Sequence, residues 1–262
     1  MSRRVLHLSD LHFGRDRPEL LRPLIETVNR IAPDLVVVSG DFTQRARLGQ
    51  FRAARAFLDH LAPPWLAVPG NHDTPLDNLA VRLLSPWSRY RRYIAADLEP
   101  TWDDAEIAVA GVNTVNHLSW QRGRIDRHAV RRVCRAFGPH EAERTCIAVL
   151  HHPLEHGPEV EKRLMRGARE GLAAMGECGV DIVLSGHLHT SHARPFGEAH
   201  GVLFVQAGTG LSTRVRGEPN DFNLLHLDGP RVRVERWIAE GTRFDPAESA
   251  AFARDGGRWH AA

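Results

Sequence analysis

Lysine is nearly missing from this chain: Lys162 is the single one among 34 basic residues, and the rest are arginine. Arginine favours two-pronged contacts to phosphate, but a coding bias in the source genome gives the same composition, so the excess alone assigns no ligand. Net charge is also scarce, at +2, which argues against bulk affinity for nucleic acid. Cysteine is rare and odd in number, with Cys134, Cys146 and Cys178 showing no C-x-x-C spacing. A cysteine zinc site or a disulfide is therefore not expected, and buried free thiols in a reducing compartment are. No apolar run approaches the ~20 residues of a membrane helix, and the chain enters a strand directly after Arg3-Arg4, with no apolar signal core. Together these absences predict a cytoplasmic protein with no membrane partner. Oligomeric state is not legible.

What is present is a long succession of short β-branched runs. At 262 residues, 42% hydrophobic and 25% charged, the chain suits one large domain. Strands are expected at 5–9, 35–38 and 65–68, alternating with helices at 18–31 and 47–61, the pattern of a mainly parallel sheet. Residues 74–105 read as an excursion, either packed or capping the site, with helical stretches at 76–84 and 89–96. Further strands are expected at 107–112, 146–150 and 181–185, with helices at 126–137 and 160–177 between them. Hairpin-like strands follow at 201–206, 222–227 and 232–237, with Asp228-Gly229 as a turn signal. The domain is thus drawn as 1–238, and 239–262 as a polar tail with a short helix near 246–252.

The strand Leu35-Val36-Val37-Val38 ends in Ser39-Gly40-Asp41, and glycine allows the sharp turn that leaves Asp41 at the strand's C-terminal end. Ligands of open α/β sheets bind there. Four other predicted strands end alike: in Asp10-Leu11-His12, Gly70-Asn71-His72-Asp73, His151-His152-Pro153 and Gly186-His187-Leu188-His189. A lone Asp-x-His or Gly-Asp means little, and most of the 16 histidines are expected to be structural. Five ordered blocks of oxygen and imidazole donors, each directly after a strand, point to one metal centre.

These five blocks resemble the calcineurin-like metallophosphoesterase superfamily. The resemblance implies a four-layer α/β/β/α sandwich of two mixed sheets with two divalent ions at the strand ends. It assigns Asp10, His12 and His189 to one ion, Asn71, His151 and His187 to the other, and Asp41 to both, with His152 as a supporting residue. It also implies that His72 contacts the phosphate or leaving oxygen, and Asp73 would orient its ring. Mixed nitrogen and oxygen donors suit Mn, Fe, Zn or Co. Two such ions bring +4 and the two aspartates −2, leaving about +2 to attract a phosphate and to lower the pKa of a bridging water to about 7.

Departures from the pattern narrow the expected chemistry. Purple acid phosphatases place a tyrosine where this chain has Gln44, and protein serine/threonine phosphatases carry G-D-x-x-D-R-G and G-N-H-E, which this chain does not match. The remainder resembles bacterial cyclic-nucleotide and glycerophosphodiester phosphodiesterases. The expected function is hydrolysis of a small phosphodiester by attack of a metal-bridging hydroxide. A nuclease or phosphomonoesterase of the same superfamily are the alternatives, and a non-catalytic scaffold is the least favoured. Arg214 and Arg216 are candidate substrate contacts, Arg89, Arg91 and Arg92 a conceivable anion mouth, and Asn220 a loop residue next to them.

Overall fold

A computed structural model describes residues 2–76, 78–138, 144–157, 160 and 163–262. His140 and Lys162 fall outside them. The parallel beginning is β1 (Arg3–Leu8), α1 (Pro18–Ile31), β2 (Leu35–Val38), α2 (Leu48–Asp59) and β3 (Trp65–Ala67). Two short helices follow, α3 (Leu79–Leu84) and α4 (Ser88–Tyr93). The second half runs β4 (Thr101–Asp103), β5 (Ile107–Val112), α5 (Arg127–Phe137), β6 (Thr145–Leu150), α6 (Ala168–Glu177) and β7 (Ile182–Ser185). Then come β8 (His192–Pro195), β9 (Leu203–Gln206), β10 (Asp221–Asp228), β11 (Arg231–Glu240), β12 (Arg243–Asp255) and β13 (Arg258–Ala261).

Two mixed sheets result. One has the order β13-β12-β11-β10-β1-β2-β3 and the other β4-β5-β6-β7-β9-β8. Side chains alternate across a strand, and here both faces are apolar. Leu35 and Val37 point into the core between the sheets, whereas Val36 and Val38 point to the core beneath α1 and α2. In the other sheet, Val109 and Ile147 face the first sheet, and Ala110 and Ala148 face α5 and α6. The layers are therefore helix, sheet, sheet, helix, as the resemblance implies.

Three expectations need correction, and one left open is settled. The stretch after residue 238 is no tail: β12 and β13 complete the first sheet, and Phe244, Phe252 and Trp259 are buried. Its three anchors are spaced too widely, among small and polar residues facing solvent, to show a period of two. Helix α6 starts at Ala168 rather than near 160, and residues 161 and 162 lie outside the described ones. Cys134 and Cys178 form a disulfide, with Cα atoms 5.5 Å apart, because α5 and α6 pack side by side. Only Cys146 is a buried free thiol, so the cysteine argument for a reducing compartment fails. Within 74–105, α4 packs inward: Tyr90 is fully buried against Phe42, and Tyr93 stacks on Phe51.

Candidate metal centre

Every donor block stands at the C-terminal end of a parallel strand. Asp10 and His12 follow β1, Asp41 follows β2, Asn71 follows β3, His151 follows β6, and His187 and His189 follow β7. The loops after β1 and β2 stay paired beyond the strands, since the amides of Asp10 and His12 donate to the carbonyls of Gly40 and Asp41 at 3.0 and 2.9 Å. Similarly, the Gly186 amide donates to the His151 carbonyl at 3.1 Å.

The backbone is strained where the donors sit. Seven non-glycine residues among those described have positive φ, and five of them are Asp10, His12, Asp41, His187 and His189. Such conformations are costly and persist where the surroundings impose them, commonly at functional sites. Two glycines make room. A Cβ on Gly70 would lie 2.1 Å from Asp41 Oδ1, and one on Gly186 would lie 1.8 Å from Ser9 Oγ.

The donor atoms converge on two neighbouring points. At one, His189 Nε2 lies 3.1 Å and His12 Nε2 3.4 Å from Asp10 Oδ1, and the two imidazole nitrogens are 3.2 Å apart. At the other, His151 Nε2 lies 3.1 Å from Asn71 Oδ1 and 3.3 Å from His187 Nδ1. Asp41 Oδ2 stands between them, 3.6 Å from His12 Nε2 and 3.4 Å from His151 Nε2. All seven predicted ligand residues are brought together.

The arrangement fits divalent cations. A carbonyl only accepts, so His189 Nδ1 donates to the Arg214 carbonyl at 2.7 Å and His151 Nδ1 to the Ser39 carbonyl at 2.8 Å. Each Nε2 lone pair is thereby aimed inward, the usual way a protein orients a ligating imidazole. Each aspartate is likewise held by one oxygen. Asp10 Oδ2 accepts from Ser9 Oγ and the His187 amide at 2.6 and 2.9 Å, and Asp41 Oδ1 accepts from the His72 amide at 2.8 Å. Asp10 Oδ1 is left buried with no hydrogen-bond partner, a costly state that a cation would relieve.

Electrostatics point the same way. Burial opposes the charge of Asp10, yet His189 and His12 hold its carboxyl well below the usual range. Burial also opposes Asp41, which His151 and His72 hold low. Burial would depress His151, but Asp41 and Asp10 raise it to about 9. A proton on the His151 imidazole thus offsets the neighbouring carboxylate charge where a cation would otherwise do so.

His152 lies close to His151 and His187, but its ring is already engaged. Nε2 donates to the Gln121 carbonyl at 3.0 Å, and Nδ1 accepts from Thr114 Oγ1 at 2.9 Å. It fastens the 114–121 loop rather than offering a lone pair to the centre. His72 stands at the mouth, its Nδ1 donating to the Gln44 carbonyl at 2.8 Å and its Nε2 lying 3.1 Å from Arg214 Nη1. Burial, His12 and Arg214 pull its pKa below the ordinary imidazole value, against Asp41. The Nε2 lone pair therefore faces the guanidinium.

Asp73 does not orient the His72 ring; the Gln44 carbonyl does. The Asp73 carboxylate instead accepts from the amides of Gly70, Thr43 and Phe42 at 2.9, 2.9 and 3.2 Å, and from Thr43 Oγ1 at 3.0 Å. It ties the turn after β2 to the turn after β3, since three amides turn inward there. Burial and the nearby Asp41 raise its pKa to about 7.

A cleft of about 290 Å³ opens beside His72 and is lined by Arg15, Arg45, Arg214, Leu76 and Trp120 among others, with no carboxylate among the described residues. Arg216 is exposed and does not line it. Arg89 donates to the Ala46 carbonyl, Arg92 lies over the Tyr93 ring, and Asn220 is buried holding Thr209 and Ser212. None of these three lines the cleft. Arg15, Arg45 and Trp120 escaped the sequence reading as cleft residues. The available signal was position: Arg15 and Arg45 follow the Asp10–His12 and Asp41 blocks by three and four residues.

A family model described as calcineurin-like phosphoesterase matches residues 3–191. The chain belongs to the calcineurin-like metallophosphoesterase family of hydrolases. Among curated proteins, it is 36% identical over 80 residues to the glycerophosphodiester phosphodiesterase GpdQ of Enterobacter lignolyticus, covering 26% of this chain and 29% of that protein. It is 34% identical over 73 residues to the UDP-2,3-diacylglucosamine pyrophosphatase LpxG of Chlamydia muridarum, covering 27% and 22%. The matches thus span less than a third of the relatives' own length. Among solved structures, the purple acid phosphatase PPD1 of yellow lupin aligns with TM-score 0.73 at 14% identity, over 98% of this chain and 54% of that one. PhoD aligns with TM-score 0.71 at 9% identity, over 99% and 71%. Similarity at that level shows the fold.

Proposed function

We propose that this metallophosphoesterase hydrolyses phosphodiesters at a two-ion centre. Asp10, His12 and His189 would hold one ion, Asn71, His151 and His187 the other, and Asp41 both. The observation that carries the reading is Asp41 Oδ2, 3.6 and 3.4 Å from the leading imidazole of each donor set. The mixed donors suit Mn, Fe, Zn or Co. When bound, such ions supply Lewis acidity and a nucleophilic water at neutral pH.

The chain's own residues supply the rest. Arg214 donates to a phosphoryl oxygen from the cleft wall, and His72, which faces the same space, would partner the leaving oxygen by donating from Nε2 once that nitrogen is protonated. Asp73 keeps the two turns carrying Asp41 and Asn71 in register. A small phosphodiester is the favoured substrate because two relatives of this chain carry names of enzymes that cleave a phosphodiester or a diphosphate. The three guanidiniums favour a second reading, a phosphomonoesterase, since they could neutralise a dianion. A nuclease is less supported by a net charge of +2.

The deciding experiment is a manganese-supplemented turnover screen of bis(p-nitrophenyl) phosphate, p-nitrophenyl phosphate, cyclic nucleotides, glycerophosphodiesters and single-stranded DNA. Preference for the diesters supports the proposal. Exclusive turnover of the monoester overturns it. No helix among the described residues is long and apolar enough to cross a membrane. The Cys134–Cys178 disulfide counts against a cytoplasmic location, and cell fractionation tests it.

A further inference from the structure

Helix α3 is inside out. It buries only Arg82, while Leu79, Leu83 and Leu84 are 57–84% exposed. Arg82 faces inward because it is a clamp: Nη1 donates to Thr74 Oγ1 and the Pro75 carbonyl, and Nη2 donates to the Ser119 carbonyl at 2.7 Å. Ser119 stands between Leu118 and Trp120, which are themselves 72% and 61% exposed. Five of the seven large hydrophobic side chains exposed among the described residues therefore belong to two segments that one buried arginine holds together. Scattered exposed leucines need no explanation, but a concentrated patch of this kind marks a contact surface. Among the described residues, packing of the chain itself does not use it.

The patch is continuous with the cleft. Trp120 belongs to both, and Leu76, three residues before α3, lines the cleft beside His72. On the cleft side the surroundings are cationic, with Arg15, Arg45 and Arg214 and no lining carboxylate among the described residues. A ligand that satisfies both halves is anionic at one end and apolar at the other.

We propose that the substrate is an amphiphilic phosphodiester whose apolar chain lies on α3 and the 118–120 loop while its phosphate sits at His72 and Arg214. This rests on the phosphodiesterase reading above and names its substrate class. The clamp then has a purpose, because it fixes the apolar surface at a constant distance from the reacting phosphate.

The test is a series of p-nitrophenyl alkyl phosphates, methyl, butyl and octyl, assayed below their micelle concentrations with manganese. Burying a methylene completely is worth about fourfold in affinity, and a surface that covers one side gives about twofold, so KM falls roughly 100-fold from methyl to octyl. In the double variant Leu83→Ser, Leu84→Ser, with an unchanged thermal midpoint, that ratio shrinks to less than about tenfold. A KM within threefold across the series, or a ratio the variant leaves intact, overturns the proposal. Calorimetric binding of the methyl and octyl esters decides the question even without turnover; that loss would count instead against the phosphodiesterase reading. Sedimentation of the protein alone and with phosphatidylglycerol vesicles covers the other occupants. A dimer or vesicle complex that the variant dissolves, with no chain-length effect on KM or binding, assigns the surface to a second copy or a bilayer and overturns the proposal.

Discussion

Removing the Arg214 side chain should separate phosphate binding from metal loading. Its guanidinium reaches 3.1 Å from His72 Nε2 in the cleft, whereas its backbone does different work. The Arg214 carbonyl accepts from His189 Nδ1 at 2.7 Å and its amide donates to Ser212 Oγ at 3.0 Å. Arg214→Ala keeps both backbone bonds, so His189 stays aimed at the centre and both ions stay bound. What goes is one or two charge-assisted hydrogen bonds to the phosphate, each worth about 1.5–3 kcal/mol. At about 1.4 kcal/mol per tenfold, one such bond corresponds to roughly a 10- to 100-fold loss in kcat/KM. Arg214→Lys should recover part of this, because charge survives but the planar fork does not. The assay is turnover of bis(p-nitrophenyl) phosphate at saturating manganese, with metal content measured on the same samples. Arg216→Ala, outside the cleft, is the control and should change the rate less than twofold. A loss under threefold for Arg214→Ala, or one that merely follows lost metal, refutes the assignment.

Other positions give equally direct outcomes. His72→Ala should retain both ions and slow turnover by about 10²–10⁴, and a near-normal rate would remove His72 from the reaction. Asp73→Ala leaves the buried amides of Gly70, Thr43 and Phe42 without their acceptor, at about 1 kcal/mol or more each. The thermal midpoint should fall by roughly 6–12 °C, with Asp73→Asn less affected; equal midpoints for alanine and wild type would contradict the tie. Burial, helped by Asp181, pushes the Cys146 thiol up to about 11. As thiolate is the reactive form, alkylation by iodoacetamide at pH 8 should be on the order of 10²-fold slower than for free cysteine. It should rise tenfold per pH unit to about pH 11, and a plateau near pH 9 would show an ordinary thiol.

The residues of the candidate metal centre were legible because each follows a strand whose buried run is unbroken. Leu35–Val38 and Ile107–Val112 appear with the same ends in sequence and structure, and Asp41 is placed by its strand. The residue Asp73 was visible, but its role was not: the three amides it accepts lie 3 to 31 positions away, and only the fold brings them together. Cys134 and Cys178, 44 positions apart, became partners through the packing of α5 on α6, which no local spacing records. The strands after residue 238 were hidden because one face of β12 is solvated and its anchors Phe244 and Phe252 are eight residues apart. Trp120 and Arg82 were unremarkable in sequence, since a cleft wall is made by loops whose meeting is set by tertiary contacts.

The account depends on two cations sharing Asp41, and metal stoichiometry tests this most directly. Protein reconstituted with manganese, then freed of excess by gel filtration, should carry two ions per chain by mass spectrometry. Asp41→Asn should lower occupancy at both positions and abolish turnover of bis(p-nitrophenyl) phosphate. One ion or none per chain in the wild type, or full occupancy and near-normal turnover in Asp41→Asn, would contradict the shared centre.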